Sequence, residues 1–248
     1  MSKAWRYGAL CLLLYLLALA FTAPARLVAR LLPEHISTSG VTGTIWAGQF
    51  LNLRWKNISS GDVSWRWGWY NGLPGVYVMA QGGPVQGNAH IGWLGSWRVS
   101  DARLKAEAQP LLALSGVMLP LEAQGELTLT LTTLRITPAA CLALEARLDW
   151  HEAQLGALGQ RLALGEPQLD MRCEGQRIKG VLRQAQAPLP FSAQGSLDYG
   201  GEYRVSGQSG PTDALPAPWP QMINSVTQPA PDGQRIMEVS GKWTLHRR

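Results

Sequence analysis

A chain of 248 residues, 46% of them apolar, is long enough for one large or two small domains with a sizeable core, which excludes disorder as a whole. The formal charge of +5 comes from 22 Lys and Arg against 17 Asp and Glu, yet charged residues make up only 16%, well below the usual quarter. No basic run is interleaved with aromatics, and the densest cationic stretch, residues 172–183, is diluted by Glu174 and glycines; nucleic-acid binding has no support, and that stretch reads as a solvated strand face.

The chain opens on residues 7–25 (YGALCLLLYLLALAFTAPA), which lack Asp, Glu, Lys and Arg and are dominated by leucine. Nineteen residues at helical rise nearly match a hydrocarbon core, so residues 7–25 are expected to form a transmembrane anchor. Lys3, Arg6 and the terminal amine precede it, which puts residues 1–6 in the cytoplasm and residues 26–248 outside it, although Arg26 and Arg30 soften that bias. A cleaved signal peptide competes with this reading, because Ala18-Leu19-Ala20 and Ala23-Pro24-Ala25 have small residues at cleavage-like spacing. The length of the apolar run and the position of Pro24 favour a retained anchor, and either reading exports the main body.

Beyond the anchor, side chains alternate with period two in six separate places, the pattern of half-buried strands. Leu51, Leu53 and Trp55 oppose Asn52, Arg54 and Lys56, and Val63, Trp65, Trp67 and Trp69 oppose Asp62, Ser64 and Arg66. Leu127, Leu129 and Leu131 alternate with Glu126, Thr128 and Thr130, then Leu169, Met171 and Cys173 with Asp170, Arg172 and Glu174. Leu197, Tyr199, Tyr203 and Val205 share one parity, and Met237, Val239, Trp243 and Leu245 alternate with polar neighbours in a last strand expected to close the sheet. Turn signals at Asn71-Gly72-Leu73-Pro74-Gly75, Gly82-Gly83-Pro84, Tyr199-Gly200-Gly201 and Pro231-Asp232-Gly233 suit hairpins rather than crossover helices. The fold class expected is mainly β, a curved antiparallel meander-like sheet preceded by one N-terminal transmembrane helix.

Residues 142–162 fit both a strand and a helical leucine stripe; Gly156 and Gly159 weaken a helix, so the first half is read as strand. A glycine recurs just before or inside alternating runs at Gly43, Gly125, Gly195 and Gly241, which suggests bulges or bent strand entries. Residues 214–231 carry several prolines and read as an extended loop, either a contact surface or a passive one.

Seven of the eleven tryptophans fall between Trp46 and Trp97. Trp65, Trp67 and Trp69 would project from one face of one strand, either as a covered core face or as an exposed platform that meets a partner, a lipid chain or a membrane surface. Of the three cysteines, Cys11 lies in the anchor, and Cys141 and Cys173 are the number needed for one bridge; two buried thiols are the alternative. Chemistry-bearing constellations are missing from the sequence. His35, His90, His151 and His246 are scattered, and no GxSxG, Walker A loop or GxGxxG occurs, so no enzyme, metal or cofactor is expected.

The run Gly43-Thr44-Ile45-Trp46-Ala47-Gly48 resembles a signature of the type II secretion system protein N family. It is followed by Val63-Ser64-Trp65, by Cys141-Leu142-Ala143-Leu144 with Trp150 downstream, by Cys173, and by Gly195-Ser196-Leu197 and Gly201-Glu202-Tyr203, so the resemblance runs over nearly the whole chain. It implies a bitopic inner-membrane protein with a periplasmic domain, a non-enzymatic part of the machine that carries folded proteins across the outer membrane of Gram-negative bacteria. It further implies contacts with other inner-membrane subunits and brings no catalytic residue. A second likeness, to the elongated curved β proteins of the AsmA type, implies an apolar inner trough and lipid as an alternative ligand.

Overall fold

The computed structural model describes residues 3–30, 32–33, 36–55, 58–70, 72–114, 121–137, 140–175, 177–184 and 188–242, in two compact units, Met1–Gln86 and Gly87–Arg248. The first unit holds α1 (Lys3–Thr22), α2 (Arg26–Ala29), β1 (Ile36–Ser37), β2 (Gly40–Gly43), β3 (Ala47–Trp55), β4 (Ile58–Tyr70) and β5 (Leu73–Gln81). The helix thus begins before residue 7 and ends at Thr22, with Pro24 already in a bridge to Thr44. Among the described residues no helix is long and apolar enough to cross a membrane. Lys3 and Arg6 occupy the start of α1, and its uninterrupted apolar run, residues 7–22, is sixteen positions against the roughly twenty that a hydrocarbon core asks for.

The strands of this unit run β1-β3-β4-β5, all antiparallel, with β1 and β2 end to end along the same edge of β3. The pairing of β3 with β4 slips between Phe50 and Leu53, where Asn52 takes a φ of 47°. Asp62 braces this bulge: its Oδ1 accepts the Asn52 backbone N–H at 3.0 Å and its Oδ2 the Gln49 amide at 3.1 Å. The expected turn at residues 71–75 is tighter than its composition suggests, since Leu73, Pro74 and Gly75 already pair with β4; Asn71, like Lys56, lies outside the described residues.

Strand β6 (Val85–Trp93) leads into the second unit, with β7 (Trp97–Glu107), α3 (Ala108–Leu114), β8 (Leu121–Thr137), β9 (Ala140–Ala157), β10 (Gln160–Gly165), β11 (Gln168–Glu174), β12 (Arg177–Gln184), β13 (Phe191–Leu197), β14 (Glu202–Ser209), α4 (Trp219–Val226), β15 (Gln228–Pro229) and β16 (Arg235–Lys242). The order β6-β7-β8-β9-β11-β12-β13-β14-β16-β15, with β10 on β9, is the hairpin meander the turn signals predict. It stays open. Among the described residues β16 runs to Lys242 and carries the two-residue β15 at Arg235 and Ile236 rather than closing the sheet; Trp243 and Leu245 lie outside the described residues.

Residues 142–162 contain no helix. Strand β9 continues to Ala157 and turns through Leu158 and Gly159 into β10, because β8 on one edge and β10 and β11 on the other satisfy its backbone along nearly its whole length. The recurrent glycines do not share one cause. Gly125 sits at a register slip of β8, at φ 105°, with the Trp150 indole donating to Gln124 O at 3.0 Å across the bulge. Gly195 and Gly241 lie in regular ladders.

Two apolar clusters hold the unit. Ala102, Leu131, Ala146 and Met171 form one row across β7, β8, β9 and β11, three of them buried. The larger cluster packs Ala153, Ala157, Leu162, Leu164, Leu189 and Leu215 against Trp219 of α4. The proline-rich stretch of residues 214–231 is therefore not an extended loop. Pro220 falls in the first helical turn, where the missing N–H costs no bond, and Trp219, Met222 and Ile223 form an i, i+3, i+4 stripe on the core. Past the last β9–β11 pair, Arg172 with Glu145, a disulfide joins Cys141 to Cys173 with their Cα atoms 5.9 Å apart.

Candidate functional site

The Gly43, Thr44, Trp46, Gly48 motif and the tryptophan strand meet in the first unit, where α1 ends, whereas Cys141 and Cys173 lie in the second. The β2–β3 connection is tight: Gly43 faces Gly48, the Thr44 N–H donates to Ala47 O at 2.8 Å, and the Ala47 N–H donates to Thr44 Oγ1 at 3.2 Å. Gly43 has a φ of 90°, and a Cβ there would lie 2.4 Å from Ala47 O, so no side chain fits. The outer edge of the same turn takes up the chain that leaves the helix. Ala25 N–H donates to Gly43 O and Ile45 N–H to Ala23 O, each at 3.0 Å.

Trp46 completes the junction. Its indole N–H donates at 2.8 Å to Ala20 O, one of the carbonyls that a helix leaves unsatisfied in its last turn. Its ring lies 6.0 Å from Phe21 and meets Trp67 edge-on at 5.8 Å, a separation at which aromatic pairs attract. The Trp67 N–H also donates to Trp46 O at 2.7 Å. Phe21, Trp46 and Trp67 thus form a ladder from the helix end onto β4.

Trp65, Trp67 and Trp69 share a strand face but not an environment. Trp65 is half-buried: its indole N–H donates to Ile45 O at 3.0 Å and its ring lies 4.6 Å from the buried Phe50. It crosses directly over Gly48, where a Cβ would come within 2.5 Å of the ring. Trp67 is 48% and Trp69 79% exposed, because β3 begins at Ala47 opposite Arg66 and leaves them beyond its end. On this one strand face Trp65 is thus partly covered and Trp67 and Trp69 are exposed. Beside Trp65, Thr42, Ser64, Tyr77 and Met79 line a groove of about 520 Å³.

The glycine at 48 gives a direct check. Gly48→Val is expected to drive Trp65 off Phe50 and Ile45 and to cost about 1 to 3 kcal/mol, the usual range for overpacking. Near-ultraviolet circular dichroism together with a denaturant titration reads both effects; an unchanged spectrum would mean that the ring does not rest on this glycine.

Sequence reasoning found Gly43, Thr44, Trp46 and Gly48 as a motif but missed their partners Ala20, Phe21, Ala23 and Ala25. The cationic stretch of residues 172–183 behaves as expected of a solvated face. Lys179 contacts Glu174 at 2.9 Å, and Arg183 lies 3.9 Å from Asp170, which also accepts from Arg147 at 2.9 Å. The Lys179 hydrogen bond holds the Glu174 carboxyl below its ordinary range, as the Lys105 bond does for Glu126. Among the described residues no three His, Cys, Asp or Glu side chains converge on a metal position.

Comparison with known proteins bears on both units. The family described as type II secretion system (T2SS), protein N matches residues 34–237. A type II secretion system protein N from Pectobacterium carotovorum subsp. carotovorum is 27% identical over 239 residues, covering 95% of this chain and 96% of that one. Proteins of the same name from Klebsiella pneumoniae, 26% identical with 98% of each chain covered, and from Aeromonas hydrophila, 27% identical with 95% and 97% covered, are similarly related. No solved structure matches. From the Gly43–Gly48 turn through the disulfide-linked strands to β16, the chain belongs to the type II secretion system protein N family.

Proposed function

We propose that this protein is a non-enzymatic, single-pass inner-membrane component of a type II secretion system, with its N-terminus cytoplasmic and its β units periplasmic. It supports export of folded proteins across the outer membrane by contacting other inner-membrane subunits. The observation that carries the reading is the family match over residues 34–237, which takes in strands of both units. The anchor has separate support. Leu10, Leu12, Leu13, Leu14, Leu16, Leu17, Leu19 and Phe21 are all exposed on it and form an apolar girdle.

Affinity capture of the full chain from detergent-solubilised membranes is expected to enrich inner-membrane subunits of the secretion apparatus. No enrichment, combined with normal export in a deletion strain, would remove the proposal. The groove beside Trp65 supports a second reading, in which the β units hold lipid. Native mass spectrometry of the same purified sample decides between them: phospholipid that is lost on Met79→Glu in the groove favours the lipid reading, and a lipid-free spectrum ends it.

A further inference from the structure

The two units differ sharply in charge. Met1–Gln86 contains seven Lys and Arg and only two acids, Glu34 and Asp62, whereas Gly87–Arg248 contains fifteen of each, so the whole +5 lies in the first unit. Asp62 is occupied in bracing the β3 bulge, and the first acid after it is Asp101. The same unit exposes Trp46, Trp67 and Trp69, and its β2–β3 turn is fastened to α1 at Ala20 and to the residues past the helix at Ala23 and Ala25.

The helix offers sixteen uninterrupted apolar positions, about 24 Å at helical rise, roughly 6 Å less than a hydrocarbon core. A span that falls short draws its flanking groups into the headgroup layer. Here the flanking groups are indoles and a guanidinium group, the side chains that suit that layer: an indole has an apolar body and one N–H, and a cation meets phosphate. Arg26, exposed at the first residue of α2 shortly past the end of α1, supplies the cation; Arg66 is exposed on the opposite face of β4 from the tryptophans.

From these observations we infer that the junction of Phe21, Trp46, Trp67 and Trp69, with Arg26, is seated in the headgroup layer of an anionic phospholipid leaflet. It rests on the reading of α1 as a membrane anchor and goes beyond it, because it makes the first β unit itself a lipid-contacting body. The occupant is lipid rather than another protein, since the aromatic patch continues the apolar girdle of α1 and the unit has almost no acid to oppose phosphate.

The full chain in nanodiscs containing phosphatidylglycerol tests this at two positions. Cys11, the free cysteine in α1, reads the anchor through its reaction with a membrane-impermeant maleimide. Trp69→Cys in a Cys11→Ser background, labelled with an NBD fluorophore, reads the junction. The expected result is a protected Cys11 and a blue-shifted NBD emission that is quenched by lipid brominated near the glycerol end of its chains, with weaker quenching in discs made only of phosphatidylcholine. A protected Cys11 with water-like, unquenched NBD would overturn the junction proposal and leave the anchor standing. A freely labelled Cys11 would overturn both. A blue shift that needs added secretion subunits would assign the face to protein and end the lipid proposal.

Discussion

Replacing Cys141 and Cys173 together by alanine is expected to cost the folded protein about 3 to 4 kcal/mol. The bond closes a loop between positions 32 apart, and the unfolded chain regains that loop's freedom when the link is removed. For a chain of this size the loss corresponds to a melting point lower by roughly 10 °C. The site absorbs the change badly, because Cys141 is 3% exposed and the bond ties the start of β9 to the end of β11 where their ladder has stopped. Reductant should bring the wild type down to the variant and leave the variant unmoved. If reductant has no effect on the wild type, the sulfurs are not joined in the native protein.

Trp219→Ala should be comparably severe, at about 3 to 5 kcal/mol, the range for emptying a large aromatic from a core. Trp219 is 4% exposed and stands at the centre of the largest cluster, against Leu162, Leu164, Leu189 and Leu215. Helix α4 is only eight residues long, too short to hold itself in water, so its docking depends on this side chain with Met222 and Ile223. Chemical denaturation and limited proteolysis around α4 measure the effect. Trp69→Ala is the matched control: at 79% exposure it should fall within about 0.5 kcal/mol of wild type. Equal behaviour of the two variants would place α4 off the core.

These two predictions mark what was legible in the sequence. Trp65, Trp67 and Trp69 could be assigned to one face from their spacing alone, since strand parity is local. Their different burial could not, because it depends on β3 beginning opposite Arg66, a register fixed by a partner strand. The same limit hid the helix junction: Trp46 reaches Ala20 across 26 positions, and no periodicity reports such a contact. Helix α4 was hidden for a different reason. Its prolines outweighed the Trp219, Met222, Ile223 stripe, although a proline in a first helical turn is well tolerated. Strand β9 was ambiguous because its leucines satisfy two periods at once, and the ladders on both its edges decided for strand.

The β2–β3 turn bonds to Ala20 in the last turn of α1 and to Ala23 and Ala25 just past it, so the helix end and the following strands are linked at three successive points. A tilt of α1 would pull on the β2–β3 turn through these bonds, as a handle acts on a lever. A subunit gripping the helix could in this way steer the β surface without touching it.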